Sequence, residues 1–140
     1  MLHITIYYSC VHYFISAGNK LSITQEDVEL SGHSIECRIN ASTTGLIEYM
    51  FLPAGCLGIR VDSGIYAGYT MPPFYDSMVA KVISHGKNRE EAIAKMKRAL
   101  DELVIEGIET NVDLQMQILE NEDFLKGEYY TTTLTQLLGL

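Results

Sequence analysis

The sequence predicts an α+β domain: an antiparallel sheet or small open barrel followed by packed C-terminal helices. Three observations carry this. Apolar and polar residues alternate with a period of two from His33 to Ile39, the mark of a half-buried strand. Beyond His85-Gly86 the apolar spacing lengthens to a period of 3.6. Strand signals come first and helix signals follow, whereas a βαβ fold would interleave them. At 140 residues the chain amounts to roughly one domain of the usual ~100–200, too short for a two-domain enzyme with an interdomain cleft. A domain of this size buries about 68–70% of its unfolded surface, so its core needs no disulfide or structural metal.

Met1 to Ala17 shows no clean period and reads as a weak strand followed by a short helix. It is apolar but lacks a basic start, which argues for a structured or frayed terminus over a secretory signal. In the next segment Ile35, Cys37 and Ile39 share one strand face, and Ser34, Glu36 and Arg38 the other. Leu46 to Leu52, Gly58 to Val61 and Met78 to Ser84 are further strands, divided by the breakers Pro53-Ala-Gly55, Asp62-Ser-Gly64 and Met71-Pro-Pro73. Ala92, Ile93, Met96, Ala99, Leu100 and Leu103 then form a helical stripe. The helix is read from Asn88 to Ile105: Asn88 is its N-cap, Glu91 completes a capping box and Gly107 supplies the stop. Thr110-Asn-Val-Asp113 repeats the capping logic before a second helix bearing Leu114, Ile118 and Leu119, and a third short helix spans Thr133 to Leu138. There is no internal repeat, low-complexity tract or linker.

Composition narrows the function classes. With 47% hydrophobic and 20% charged residues the chain lies in the globular range and outside the disordered one. Eighteen acidic against ten basic residues give a net charge of −8, the wrong sign for displacing counterions from nucleic acid. Cys10, Cys37 and Cys56 are odd in number and match no C-x-x-C pattern, so neither a disulfide framework nor a zinc site is indicated, and a reducing cytoplasm fits. No apolar run reaches the ~18–20 residues that span a bilayer. Nucleophile elbow, H-E-x-x-H, P-loop lysine and a Gly-rich phosphate loop before a helix are all missing from the sequence. The four scattered histidines read as surface or hydrogen-bonded residues, and no metal ligand set is assigned.

Leu57 to Ser77 is the most informative stretch, packing glycines, aromatics and a Pro-Pro pair into tight turns that present rigid side chains. Arg60 lies in the apolar frame Gly-Ile-Arg-Val. Its guanidinium either faces solvent in a salt bridge with Asp62 or is held at a site for a planar anion. Asp76 fits a turn or cap carboxylate, with a general base as the sharper reading. Lys81 fits a solvated or ion-paired strand residue. Glu36 and Arg38, two apart on one polar face, suit intra-sheet pairing or a functional role.

Three blocks raise a family resemblance: Gly32-His-Ser-Ile-Glu-Cys-Arg-Ile-Asn-Ala41, Gly58-Ile-Arg-Val-Asp-Ser63 and Tyr66-Ala-Gly-Tyr-Thr-Met-Pro-Pro-Phe-Tyr-Asp-Ser-Met78. Asn88-Arg-Glu-Glu-Ala-Ile93, Met96-Lys-Arg-Ala-Leu100 and Gly107-Ile-Glu-Thr-Asn111 follow in order. Together they resemble the C-terminal domain of biotin carboxylase. The likeness covers residues 15–140 and leaves 1–14 unmatched.

The resemblance implies an ATP-dependent ligase that uses bicarbonate and a divalent metal to carboxylate the ureido nitrogen of biotin on a carrier protein. It implies that Arg60 contacts biotin, its cation stabilising charge on the ureido oxygen, with Glu36, Arg38, Asp76 and Lys81 as supporting candidates. The family's C-terminal domain forms the cleft floor and much of a homodimer surface. Its ATP lid, nucleotide lysines and the Glu-x-Asn-x-Arg strand for metal and bicarbonate belong to sequence preceding this part. Glu36-Cys-Arg-Ile-Asn40 resembles that strand only superficially, and no metal is assigned to it. ATP and Mg or Mn are thus expected only through those other domains. The implied reading is a fragment inactive alone, with biotin carboxyl carrier protein as partner. The alternative is a non-catalytic module that pairs with full-length biotin carboxylase or with its own copy. One departure is local: the family's longer acidic, Pro-containing loop shrinks here to Ser42-Thr43-Thr44, which puts the pairing geometry beside it in question.

Overall fold

The structure is a computed structural model and describes residues 12–21 and 23–139. Cys10, His3 and the strand expected near the N-terminus lie outside the described residues; residues 12–16 are helical. Strand β1 (His33–Asn40) pairs antiparallel with β6 (Met78–Gly86) from His33↔Gly86 to Ile39↔Ala80. The other edge of β6 carries β4 (Ile59–Asp62), so the order is β1-β6-β4. Two smaller antiparallel pairs flank this sheet: β2 (Gly45–Leu46) with β5 (Thr70–Met71), and β3 (Tyr49–Phe51) with β7 (Val104–Glu106). Among the described residues the strands thus form open antiparallel sheets with no closed barrel.

Helix α1 (Arg89–Glu102) packs across β6 and β1. The alternation predicted for β1 places Cys37 and Ile39 inward, cross-strand from Val82 and Ala80, and onto them α1 lowers Ile93, Met96 and Leu100. Each such side chain moved out of water contributes about 1.5–3 kcal/mol before the chain-ordering cost. Ser84 is the buried polar residue of this layer, and its hydroxyl donates to the Ala92 carbonyl at 2.8 Å. Asn88 caps α1 as expected, its Oδ1 accepting from Glu91 N–H at 2.9 Å. The Glu91 carboxylate turns to Lys87 N–H and to Lys95, and both hold it below its ordinary titration range. Helices α2 (Val112–Glu120), α3 (Glu122–Lys126) and α4 (Thr133–Leu138) follow. Arg89 ties α3 back to the start of α1, donating to the Phe124 carbonyl at 2.6 Å with its guanidinium 4.8 Å from that ring's centre.

Several boundaries differ from the sequence expectation. Leu46 to Leu52 divides into β2 and β3 because the backbone changes partners within it: Ile47 N–H bonds to Tyr69 O, and Glu48 N–H to Glu106 O. The helix read as reaching Ile105 ends at Glu102. Leu103 is already extended, and the β-branched pair Val104-Ile105 joins β3 as β7. Gly107 therefore does not stop a helix. With φ +96° it lets the chain pass β2, where a Cβ would stand 2.1 Å from Leu46 O. Helix α3 was not foreseen; Asn121 caps it, its Oδ1 accepting from Asp123 and Phe124 N–H at 3.0 and 3.1 Å. The short loop after β1 is well tied, Ser42 N–H to Glu109 O at 2.8 Å and Glu109 N–H to Thr43 Oγ1 at 2.9 Å.

Candidate functional site

Alternation that sends apolar residues inward must send their neighbours outward, and the outer face of the β1-β6-β4 sheet collects charge. In one row Arg38 stands opposite Lys81, which stands opposite Asp62; in the next Glu36 and Arg60 flank Ile83. Glu36, Arg38, Arg60 and Lys81, four of the five site residues read from the sequence, therefore share this face. Asp76 joins them from the loop before β6 by an ion pair with Arg38. An open groove of about 980 Å³ runs beside the face, its lining including Asp62, Tyr69, Tyr75, Asp76 and Lys81.

The two arginines are held differently. Arg60 forks onto Asp62, Nε to Oδ1 at 2.9 Å and Nη2 to Oδ2 at 2.8 Å, the solvent-facing salt bridge of its two sequence readings. The hydrogen bond, and then the Coulomb attraction of Asp62, push the guanidinium further above its ordinary range. Both partners sit on the same edge strand, two residues apart. Arg38 is held from several elements. Its Nε donates to Asn40 Oδ1 at 3.0 Å and its Nη2 pairs with Asp76, whose Oδ1 also accepts Met78 N–H at 3.2 Å. Its own carbonyl accepts from Asn111 Nδ2 at 3.2 Å and Gln115 Nε2 at 3.4 Å, both from the start of α2. The remaining pair, Lys81 with Glu36, is loose at 3.6 Å.

All three pairs are about half exposed, so each adds roughly 0–1 kcal/mol to stability. Such an arrangement suits recognition better than support of the fold, since a guanidinium offers five donors in a fixed fork. The contacts of Arg38 within the described residues engage Nε and Nη2, which leaves its Nη1 edge to a planar oxygen ligand. Beneath this face Cys37 is buried; burial first, and then the charge of Glu36, push its thiol up to about 11. Among the described residues no group of three or more His, Cys, Asp and Glu is placed to hold a metal, and no helix is long and apolar enough to cross a membrane.

Sequence reasoning missed Asn40 and Gln115 and gave Asn111 only a capping role. Asn40 was discoverable, because it lies two residues beyond Arg38 on the same strand face. Nothing local indicates that Asn111 reaches back some seventy residues to β1.

The biotin carboxylase C-terminal domain family model matches residues 36–136. Biotin carboxylase 1 of Bacillus subtilis is 54% identical over 125 residues, covering 84% of this chain and 28% of that protein. The biotin carboxylase of Pseudomonas aeruginosa is 45% identical over 133 residues, covering 90% of this chain and 29% of its own length. Among solved structures, the biotin carboxylase subunit of a pyruvate carboxylase superposes with TM-score 0.86 at 37% identity, over 91% of this chain and 30% of that one. The biotin carboxylase domain dimer of Hydrogenobacter thermophilus 2-oxoglutarate carboxylase, in complex with MgADP, ADP and bicarbonate, gives 0.84 at 37% identity, over 88% and 29%. The chain spans less than a third of the length of these relatives.

Proposed function

This chain belongs to the biotin carboxylase family, whose C-terminal domain it represents, and from that premise we propose that it supplies the charge-stabilising wall of a biotin carboxylation site. The domain is taken as residues 15–140. The parent reaction is ATP- and bicarbonate-dependent carboxylation of biotin presented by biotin carboxyl carrier protein. Removing the ureido proton concentrates negative charge on the ureido oxygen, and a fixed cation about 3 Å away lowers that cost.

The resemblance implies Arg60 for that cation. The observation that favours Arg38 is its support: Asn40 and, from the groove rim, Asp76 hold its guanidinium, and Asn111 and Gln115 from the start of α2 hold its main-chain carbonyl, whereas Arg60 leans on one neighbour. A cation pre-set by other elements need not reorganise as charge develops. Asp76 keeps the guanidinium aimed, and Lys81 with Glu36 sets the field along the groove. Glu36, Asp62 and Asp76 each face a basic side chain. They do not fit a divalent metal, and nucleotide and metal binding are assigned to the remaining two-thirds of a full-length carboxylase. A cytoplasmic setting, suited to the free thiols Cys37 and Cys56, belongs to the same proposal.

The test is a chimera in which residues 15–140 replace the matching part of the Bacillus subtilis enzyme, read as bicarbonate- and biotin-dependent ATP cleavage. The chimera turns over and the isolated chain does not. In the chimera Arg38→Ala lowers kcat about 100-fold or more, and Arg60→Ala about fivefold or less. The reverse order returns the role to Arg60; turnover by the isolated chain removes the proposal of dependence on other domains.

One observation favours a second, non-catalytic reading: the similar Hydrogenobacter domain is described as a dimer. Here the chain pairs with its own copy or with full-length biotin carboxylase. A light-scattering mass of two chains, or co-elution with the full-length enzyme, supports it. A monomer at every concentration that co-elutes with nothing eliminates it.

A further inference from the structure

The loop between β5 and β6 leaves two large rings in water. Phe74 is 92% exposed and Tyr75 88%. Among the described residues neither ring stacks on another, whereas Tyr69, a few positions earlier, is half-buried against the core and meets Tyr66 edge-on at 5.8 Å. The loop itself is firmly anchored. Met71 at its start is buried and pairs with Gly45, and the Ser77 carbonyl at its end accepts Ala41 N–H at 2.8 Å. The Asp76 carboxylate accepts Met78 N–H at 3.2 Å, and Pro72 and Pro73 fix φ at two positions between the anchors. A short rigid turn therefore projects Phe74 and Tyr75, and each ring has only two side-chain torsions left to order when something covers it.

Adjacent exposed aromatics contribute nothing to the core and are the residue types that binding surfaces concentrate. Their place says what meets them. Tyr75 lines the open groove beside the β1-β6-β4 face, with Asp62, Asp76 and Lys81. A groove that admits biotin must stay open, so a ring on its lining is covered only by what arrives and leaves with biotin. Biotin arrives tethered to a folded carrier, whose body has to rest at the rim while the tether reaches inward. Phe74, one residue from Tyr75, is outside the groove lining and so stands on that rim. The size fits as well. An aromatic side chain removes about 150–250 Å² from water when covered, enough for two of them to anchor an interface below the ~1,200 Å² of transient encounters. A carrier that departs after each carboxylation requires a contact of that kind.

We propose that Phe74 and Tyr75 form the docking anchor for the biotin-bearing carrier domain, seating its folded body at the groove rim and favouring carrier-bound over free biotin. The role rests on the placement of the biotin site in this groove, whichever arginine faces the ureido oxygen.

The Bacillus subtilis chimera tests it with two substrates, free biotin and the biotinylated carrier protein. Phe74→Ala raises KM for the carrier about tenfold, against about twofold or less for free biotin. Phe74→Trp, which restores a ring, returns the carrier KM to near the wild-type value. Tyr130→Ala, the loss of a ring that is 77% exposed beside the C-terminal helices, changes neither KM. Equal losses on both substrates overturn the proposal, because they place Phe74 against the rest of the enzyme. A carrier KM within about twofold of wild type also overturns it and leaves the biotin site standing. A chimera silent with free biotin removes the biotin site, and docking is then read from the full 15N-labelled chain. Biotinylated carrier shifts the amide signals of Phe74, Tyr75 and Asp76 in wild type and not in Phe74→Ala; the absence of shifts in wild type overturns docking too.

Discussion

The two faces of the β1-β6-β4 sheet are built from the same strands, residue by alternating residue, yet they obey different rules. The inner face presents Cys37, Ile39, Ala80 and Val82 to helix α1 and is buried. The outer face presents Glu36, Arg38, Arg60, Asp62 and Lys81 beside an open groove, and its ion pairs are half solvated. Burial makes the inner face a stability element whose cost of change scales with lost contact and cavity. Exposure makes the outer face nearly free to change energetically, so its charges are available for recognition.

Mutations can break this contrast in order of size. Ile39→Ala opens the inner face at a fully buried position and costs about 3 kcal/mol, a fall of about 10 °C in melting temperature by calorimetry. A melt unchanged within about 2 °C contradicts the packing described.

A smaller effect comes from titration. The Cys37 thiol is raised from 9.0 to about 11, so between those pH values the unfolded chain loses its proton and the folded chain keeps it. Stability is full below pH 9, and about 2–3 kcal/mol drains away as pH rises toward 11. Urea denaturation at pH 8 and pH 10.5 reads this loss, with Cys37→Ala as the reference that carries the tyrosine background without it. Equal pH slopes in the two proteins show that the thiol is not shielded.

The smallest effect belongs to the outer face. A double-mutant cycle on Arg60 and Asp62 gives a coupling of about 0.5 kcal/mol that disappears in 1 M salt. A coupling above about 2 kcal/mol makes this pair part of the support of the fold.

Much of this is legible in the sequence. The strand from His33, the stripe of α1, the Asn88 cap and the helix at Thr133–Leu138 all follow from local periodicity and capping chemistry. The gathering of Glu36, Arg38, Arg60 and Lys81 on one face also follows, once strands are paired with inward apolar residues in register. What escaped has a common cause. The stripe through Leu103 is equally good evidence for a longer helix, and only the ladder to β3 makes Val104–Glu106 a strand. Gly107 reads as a helix stop until β2 lies against it.

The sequence by itself determined which residues turn inward and which outward, because side-chain periodicity is set by the backbone geometry of each element and needs no knowledge of the partner. It also carried the family, through ordered blocks spanning most of the chain. Only the tertiary structure decided how the two arginines differ. Arg60 meets its counter-ion two residues away on its own strand. Arg38 is held by Asp76 and Asn111, partners 38 and 73 residues distant in the chain. Local spacing cannot specify hydrogen bonds that close only after the strands and helices have packed.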